Sequence, residues 1–332
     1  MQRSPALIVL FLGAFDASAH HSIAASYQQD ETVEIEGIVT SLRWGNPHTF
    51  YTVAVGDGTV EYRIESGGVN ELRALGLNND FLRPGDKVKV AGAPSRRGRN
   101  EIFGRNLLLP TGEEVLFGAF STPRFEAPLL TQEPDAQLVE AARRDADGIF
   151  RVWSTVAGDP DSFPMFTGGY PLTERAKAIR DSRSPEDYPY NGCFPKPMPH
   201  IMNSPLPYEF VRDGQDILLR IEEYDSVRRI LMTSPEATDE EPTRLGKSYG
   251  HWEDGVLVVE TANIVEGYFH NDGTPQSVDI SLVERFELNE AKDRLDYTIR
   301  ITDPQSFSRP FELSRYWSWR PEIQISTFTC SV

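Results

Sequence analysis

Glu31-Thr32-Val33-Glu34-Ile35-Glu36-Gly37-Ile38-Val39 places Val33, Ile35, Gly37 and Val39 on one side of an extended chain and Thr32, Glu34 and Glu36 on the other. That period of two belongs to a half-buried strand and decides the fold class as β. The strand is expected to run to about Arg43, where Trp44-Gly45-Asn46-Pro47 punctuates the chain. Thr49 to Val55 returns as a second strand, and Gly56-Asp57-Gly58 turns it into a third, Val60 to Glu65. Val69 to Leu77 has helical spacing, and strands follow at Lys87 to Ala91 and Ile102 to Leu109. Three meander strands, a helix and two more strands are the order of a five-stranded OB-like barrel, expected over residues 20–118.

Prolines 123, 128 and 134 mark a connector, expected over 119–147, with one short helix from Ala136 to Arg144. Beyond it lie a strand-like Ile149 to Ser154, a helix from Glu174 to about Arg180 capped by Thr173, and a proline-rich run from Tyr188 to Met202. The prolines exclude regular helix and central strand from that run, so it reads as a long pinned loop. From Tyr208 onward strand follows strand, the last from Glu322 to Cys330, with Asp213-Gly214 and Asp254-Gly255 as hairpin turns. Residues 148–332 are therefore expected to form an antiparallel up-and-down β-barrel or a strongly curved sheet.

Upstream, Arg3 precedes the apolar run Ala6 to Phe15, and Ala17-Ser18-Ala19 supplies a small-residue cleavage site. Residues 1–19 read as a signal peptide, which assigns the mature protein to the periplasm or the exterior. The apolar run is half as long as the roughly 20 residues a spanning helix needs, so no membrane insertion is expected. Removing Arg3 and Asp16 with the leader leaves the net charge of −17 unchanged. So acidic a chain repels phosphate backbones and excludes nucleic acid as a partner, despite Arg96-Arg97-Gly98-Arg99 in the last loop of the first barrel. The only cysteines, Cys193 and Cys330, are expected to pair in that oxidising compartment. The closed loop is worth on the order of 4 to 5 kcal/mol by the chain-entropy argument.

Two stretches resemble a known family. Ala19-His20-His21-Ser22 and Asn46-Pro47-His48 are similar to the start and the Asn-Pro-His motif of an uncharacterised family of exported bacterial two-domain proteins, whose small first domain is OB-like. Cys193, Met198-Pro199, Ile201-Met202, Tyr224, Arg228-Arg229, Gly250-His251-Trp252-Glu253, Glu284-Arg285-Phe286, Asp303-Pro304 and Cys330 resemble its partner domain. That family carries arginine where this chain has His200 and His251, and histidine where it has Gln276. The resemblance implies the domain plan and no activity.

No nucleophile elbow, phosphate loop, dinucleotide fingerprint or Cys-x-x-Cys motif is present. Three readings follow. In the first, an exported accessory protein binds a small apolar or amphipathic ligand in the second barrel, with aromatics such as Trp153, Tyr208, Phe286 and Trp317 as lining, although a barrel of modest strand number favours them as core. The protein partner, if any, is unknown, and no cofactor is certain. In the second, cleavage before His20 exposes an amine and an imidazole on one residue, and His21 or His48 adds a third nitrogen, a set suited to copper. The obstacle is reach, since residues 20–28 would have to run back along the first strand. In the third, a hydrolase or isomerase acts in the second barrel through His251 and Glu253, or through Glu222 and Arg229, residues that cross-strand ion pairing explains as well.

Overall fold

The computed structural model describes residues 23–118, 121–131, 134–156, 159, 162, 165–184, 193–233 and 241–330. The protein is mainly β, with a small closed barrel followed by a large one.

A single helical turn, α1 (Ile23–Ser26), precedes β1 (Val33–Arg43), β2 (Thr49–Val55), β3 (Val60–Ser66), α2 (Val69–Ala74), β4 (Lys87–Pro94), β5 (Glu101–Leu108) and β6 (Glu114–Leu116). The sheet order is β3-β2-β1-β4-β5-β6, and the parallel pairing of β3 with β5 closes the first five strands into a barrel. Bulges at Thr40 in β1 and at Arg105 in β5, opposite Ala91 and Gly92, bend the strands enough to close so small a ring. Gly92 is required where the walls crowd, because a Cβ there would lie 2.0 Å from the Phe103 carbonyl oxygen. Val39, Val53, Ile64, Val90, Ile102 and Leu107 fill the interior, and Leu72 of α2 plugs one end. Glu34 and Glu36 point to solvent, as the alternation requires.

The sixth strand was not anticipated. It holds part of the connector against the first barrel: Glu114 N donates to the Pro128 carbonyl at 2.7 Å, and its buried carboxylate accepts from Asn106 Nδ2 and from the Arg124 and Phe125 amides. Those donors satisfy the buried carboxylate oxygens.

The second region contains α3 (Ala136–Arg144), capped by Asp135, and α4 (Glu174–Ser182), capped by Thr173. Its strands are β7 (Val152–Ser154), β8 (Tyr208–Asp213), β9 (Asp216–Ile221), β10 (Ser226–Leu231), β11 (Lys247–Glu253), β12 (Val256–Ala262), the small hairpin β13 (Gly267–Tyr268) and β14 (Pro275–Gln276), then β15 (Ser281–Leu288), β16 (Arg294–Thr302) and β17 (Phe311–Trp319). Nine of them close in the order β10-β11-β12-β15-β16-β17-β7-β8-β9. Trp153, Tyr208, Phe286, Tyr297 and Trp317 are at most 1% exposed and fill the lumen as core. Among the described residues, no helix is long and apolar enough to cross a membrane.

Two expectations need correction. β10 and β11 pair in parallel, through Ile230–Ser248 and Leu231–Tyr249 alone, so the wall departs from up-and-down order there. The expected last strand, Glu322 to Cys330, does not form: β17 is already flanked by β16 and β7. The tail instead leaves the wall and reaches the first barrel, bridging Cys330 to Asn46.

Candidate functional site

The two barrels meet where the β1–β2 turn, the β3–α2 turn, the β9–β10 turn and the tail converge. The N-terminal approach to this place is tied down at several points. Gln28 N donates to the Pro94 carbonyl at 2.9 Å, Arg96 N donates to the Ser26 carbonyl at 2.8 Å, and the Tyr27 ring packs tilted against Phe103 with centroids 5.7 Å apart. The Tyr27 hydroxyl donates to Glu65 Oε2 at 2.7 Å, and Glu65 Oε1 lies 3.6 Å from His48 Nδ1. Burial beside that carboxylate pushes the phenol far above its ordinary range.

His48 Nδ1 is also 3.2 Å from the Ser66 carbonyl oxygen. A carbonyl can only accept, so this contact places a proton on Nδ1. The Glu71 carboxyl is raised by burial, with the neighbouring His48 acting against the shift.

A buried polar chain crosses the junction itself. Asn46 Nδ2 donates to Asn70 Oδ1 at 2.7 Å, and Asn70 Nδ2 donates to Glu222 Oε1 at 3.0 Å and to Ser326 Oγ at 3.2 Å. Ser326 N closes the chain on Glu222 Oε2 at 2.7 Å. Glu222 is 2% exposed. Its carboxyl is raised by that burial, which the Ser326 and Asn70 hydrogen bonds offset only in part. Next to it, Lys196 Nζ pairs with Glu223 Oε1 at 2.7 Å. Tyr224 and Asp225 take φ of 59° and 47°, a left-handed conformation costly for side-chain-bearing residues. Phe328 packs on Tyr224, its amide donates to Asp225 Oδ1 at 3.1 Å, and the tail is fixed further by the Cys193–Cys330 disulfide, with Cα atoms 5.7 Å apart.

The residues singled out from sequence are distributed unevenly. His48, Glu222 and the two cysteines belong to the junction. His20 and His21 lie outside the described residues. His251 and Glu253 are together, His251 Nε2 standing 2.9 Å from Glu253 Oε1, with Arg285 Nη1 on Glu253 Oε2 at 2.9 Å. All three are about half exposed on the outer wall. Arg229 is not brought to Glu222: it points outward to Asp213 and Asp216. Gln276 uses its Nε2 to bridge the Met198 and Val265 carbonyls at 3.1 and 2.9 Å. His200 is buried against Phe166 and His270, and burial lowers its imidazole well below the ordinary range.

Tyr27, Glu65, Asn70 and Ser326 were not identified from sequence. Asn70 has no motif around it. Tyr27 carried a signal, since an aromatic just ahead of a strand can pin a terminus that would otherwise fray. Among the described residues, no group of three or more His, Cys, Asp or Glu side chains is arranged to hold a metal ion.

A family described as being of unknown function, DUF6152, matches residues 9–103. No curated protein matches. Among solved structures, apo TiaS, a tRNAIle2 agmatidine synthetase, is similar over 25% of this chain and 18% of its own, at 16% identity and a TM-score of 0.20. A likeness of that extent carries no argument about fold or function. The Cys193–Cys330 disulfide indicates an oxidising, non-cytoplasmic location.

Proposed function

We propose that this is an exported copper-binding protein whose ligands are the amine and imidazole of His20, freed by cleavage after Ala19, and Nε2 of His48. The observation that supports the reading best is the tie between Tyr27 and Glu65, which brings the N-terminal segment to the side of the barrel that holds His48. Tyr27 N bonds the Ile23 carbonyl at 2.8 Å, and the three residues from His20 to Ile23 span up to about 10 Å when extended. An Nδ1–H held by a backbone carbonyl is also the outer-shell arrangement that orients a metal-bound imidazole and raises its basicity.

An amine and two imidazoles supply three nitrogens, a donor set matched to the tetragonal preference of Cu(II). Metal competes with the proton on the terminal amine, so binding should release protons and strengthen as pH rises toward the ordinary amine pKa of about 8.

The test is titration of Cu(II) into protein beginning at His20, followed by calorimetry and electron paramagnetic resonance. One equivalent with nitrogen hyperfine structure is expected. A variant with one glycine ahead of His20, and His48→Ala, should each bind more weakly by more than the roughly 10–100-fold that outer-shell changes cost. Equal affinity in all three proteins would end the proposal.

A further inference from the structure

The turn that leads to His48 is clasped from two sides. On one side the backbone after β3 comes so close that a Cβ on Gly68 would lie 2.5 Å from Asn46 Oδ1 and 2.6 Å from the Pro47 carbonyl oxygen. Asn46 Nδ2 is bonded there to Asn70 of α2 at 2.7 Å, and Asn46 is buried. On the other side lies the tail. Cys330 forms a parallel bridge with Asn46, and its Sγ stands 3.8 Å from the Asn46 carbonyl oxygen. His48 follows two residues later, so whatever fixes Asn46 and Pro47 also fixes where that imidazole starts.

The two sides of the clasp are built differently. Gly68 and Asn70 belong to the first barrel and are present as soon as it folds. The tail beyond Trp319 joins no ladder of the sheet. Side-chain contacts hold its middle: Ser326 to Glu222 and Asn70, and Phe328 to Tyr224 and Asp225. Past Phe328 the hold is covalent, through Cys330 to Cys193, 137 positions earlier in the chain. A chain end without such a tie frays. The disulfide therefore uses the second region to press the tail on a turn of the first.

We infer that oxidation of Cys193 and Cys330 is a maturation step for the His48 site: the turn is set, and the imidazole held for its metal, only once the disulfide has formed. The metal is that of the copper reading, on which this step rests; the clasp stands on its own contacts. The oxidant is a disulfide-bearing thiol oxidant. One cysteine thiolate attacks it to give a mixed disulfide, and the second thiolate then displaces the oxidant's sulfur. One S–S bond forms in the protein, and the oxidant's own S–S bond is reduced by two electrons and two protons to a dithiol. The chain before oxidation has an open clasp and a weakened hold on Cu(II).

The experiment compares oxidised protein beginning at His20 with the double variant Cys193→Ser/Cys330→Ser, which leaves no thiol to bind copper. Hydrogen exchange is read first, without metal, in peptides covering the β1–β2 turn, the tail and β16. Exchange in the turn and tail should accelerate about tenfold or more in the variant, with β16 unchanged. The native protein reduced by a phosphine, again without metal, should show the same pattern without any substitution. Phe328→Ala keeps the disulfide and should loosen the tail while the turn stays protected. Cu(II) titration follows, and the double variant should bind at least about tenfold more weakly, the scale of an outer-shell loss. Unchanged exchange in the turn, protection lost equally in β16, or equal copper affinity in the two proteins would overturn the inference. Oxidised native protein that binds no Cu(II) would end the copper reading and with it the metal's part in this step, while the exchange data would still decide the clasp.

Discussion

The interior of the first barrel is largely aliphatic, built from Val39, Val53, Ile64, Val90, Ile102 and Leu107 beside the single buried Tyr51, whereas the second carries Arg228 and Glu284 at the same depth, 2% and 0% exposed. The lumen of a closed sheet widens with strand number, and branched aliphatics that fill a five-strand ring cannot meet across a nine-strand one. Longer side chains are needed, and here they include an ion pair. Arg228 on β10 reaches Glu284 on β15 past the intervening β11 and β12, whose Ser248 and Thr261 bond its guanidinium at 2.8 and 2.6 Å. Tyr297 on β16 completes the set with a 2.8 Å hydrogen bond to Glu284 Oε1. Mutual attraction and hydrogen bonding hold the guanidinium charged against the burial that would lower its pKa. The comparison teaches that side chains take over where the backbone ladder is thin: the Arg228–Ser248 bond spans the same β10–β11 seam that main-chain pairing crosses only at Ile230 and Leu231.

Breaking that network is the most direct way to challenge the contrast. Glu284→Ala leaves a buried guanidinium without its counter-charge and should cost about 3–5 kcal/mol in urea unfolding. Hydrogen exchange at Ile230 and Leu231 should accelerate as well. Ile64→Ala in the first barrel should cost a similar ~2–5 kcal/mol through its cavity, while exchange at that seam stays unchanged. Seam exchange that responds equally to both variants would mean the network fills space without holding the strands.

A smaller effect tests whether the two regions behave as one. Asn70→Ala removes the donor shared by Glu222 and Ser326 and should cost about 1–3 kcal/mol. It should also separate the melting of the two barrels in calorimetry. A single transition, unshifted, would show that the polar chain does not couple them.

The pH dependence of Glu222 is smaller still, and its sign follows from burial. A carboxyl raised in the folded state favours the protein while protonated, and that contribution is lost as pH rises through the raised folded pKa. Glu222→Gln should therefore compare more favourably with the unaltered protein at pH 7 than at pH 4, in paired unfolding curves. The opposite trend would mean that the hydrogen bonds outweigh desolvation. Least of all is expected from His251→Ala: its pair with Glu253 is half exposed on the outer wall, and the midpoint should stay within the error of the measurement.

Much of the architecture could be read from local pattern. Val33 to Val39, the Gly56-Asp57-Gly58 turn and the Thr173 and Asp135 caps are written in a few consecutive residues, and the elements they mark lie where expected. The parallel β10–β11 pair was invisible because a strand's alternation does not record the direction of its neighbour. The tail from Glu322 has strand-like composition, and only the prior occupation of both edges of β17 denies it a place in the sheet. At the junction, Asn-Pro-His and the two cysteines were legible, whereas Asn70 and Ser326 are ordinary polar residues given meaning by contacts across 256 positions of sequence.

The thin seam between β10 and β11 has a counterpart. β7 joins β17 through Ser154–Ser318 and Trp153–Trp319, and joins β8 through Trp153–Tyr208 and Val152–Glu209. In mechanical terms the large barrel is two curved leaves, β8-β9-β10 and β11-β12-β15-β16-β17, buttoned along one side by a strap three residues wide and along the other by a short parallel stitch. A tensile load across the wall would part it along those two lines and leave each leaf whole.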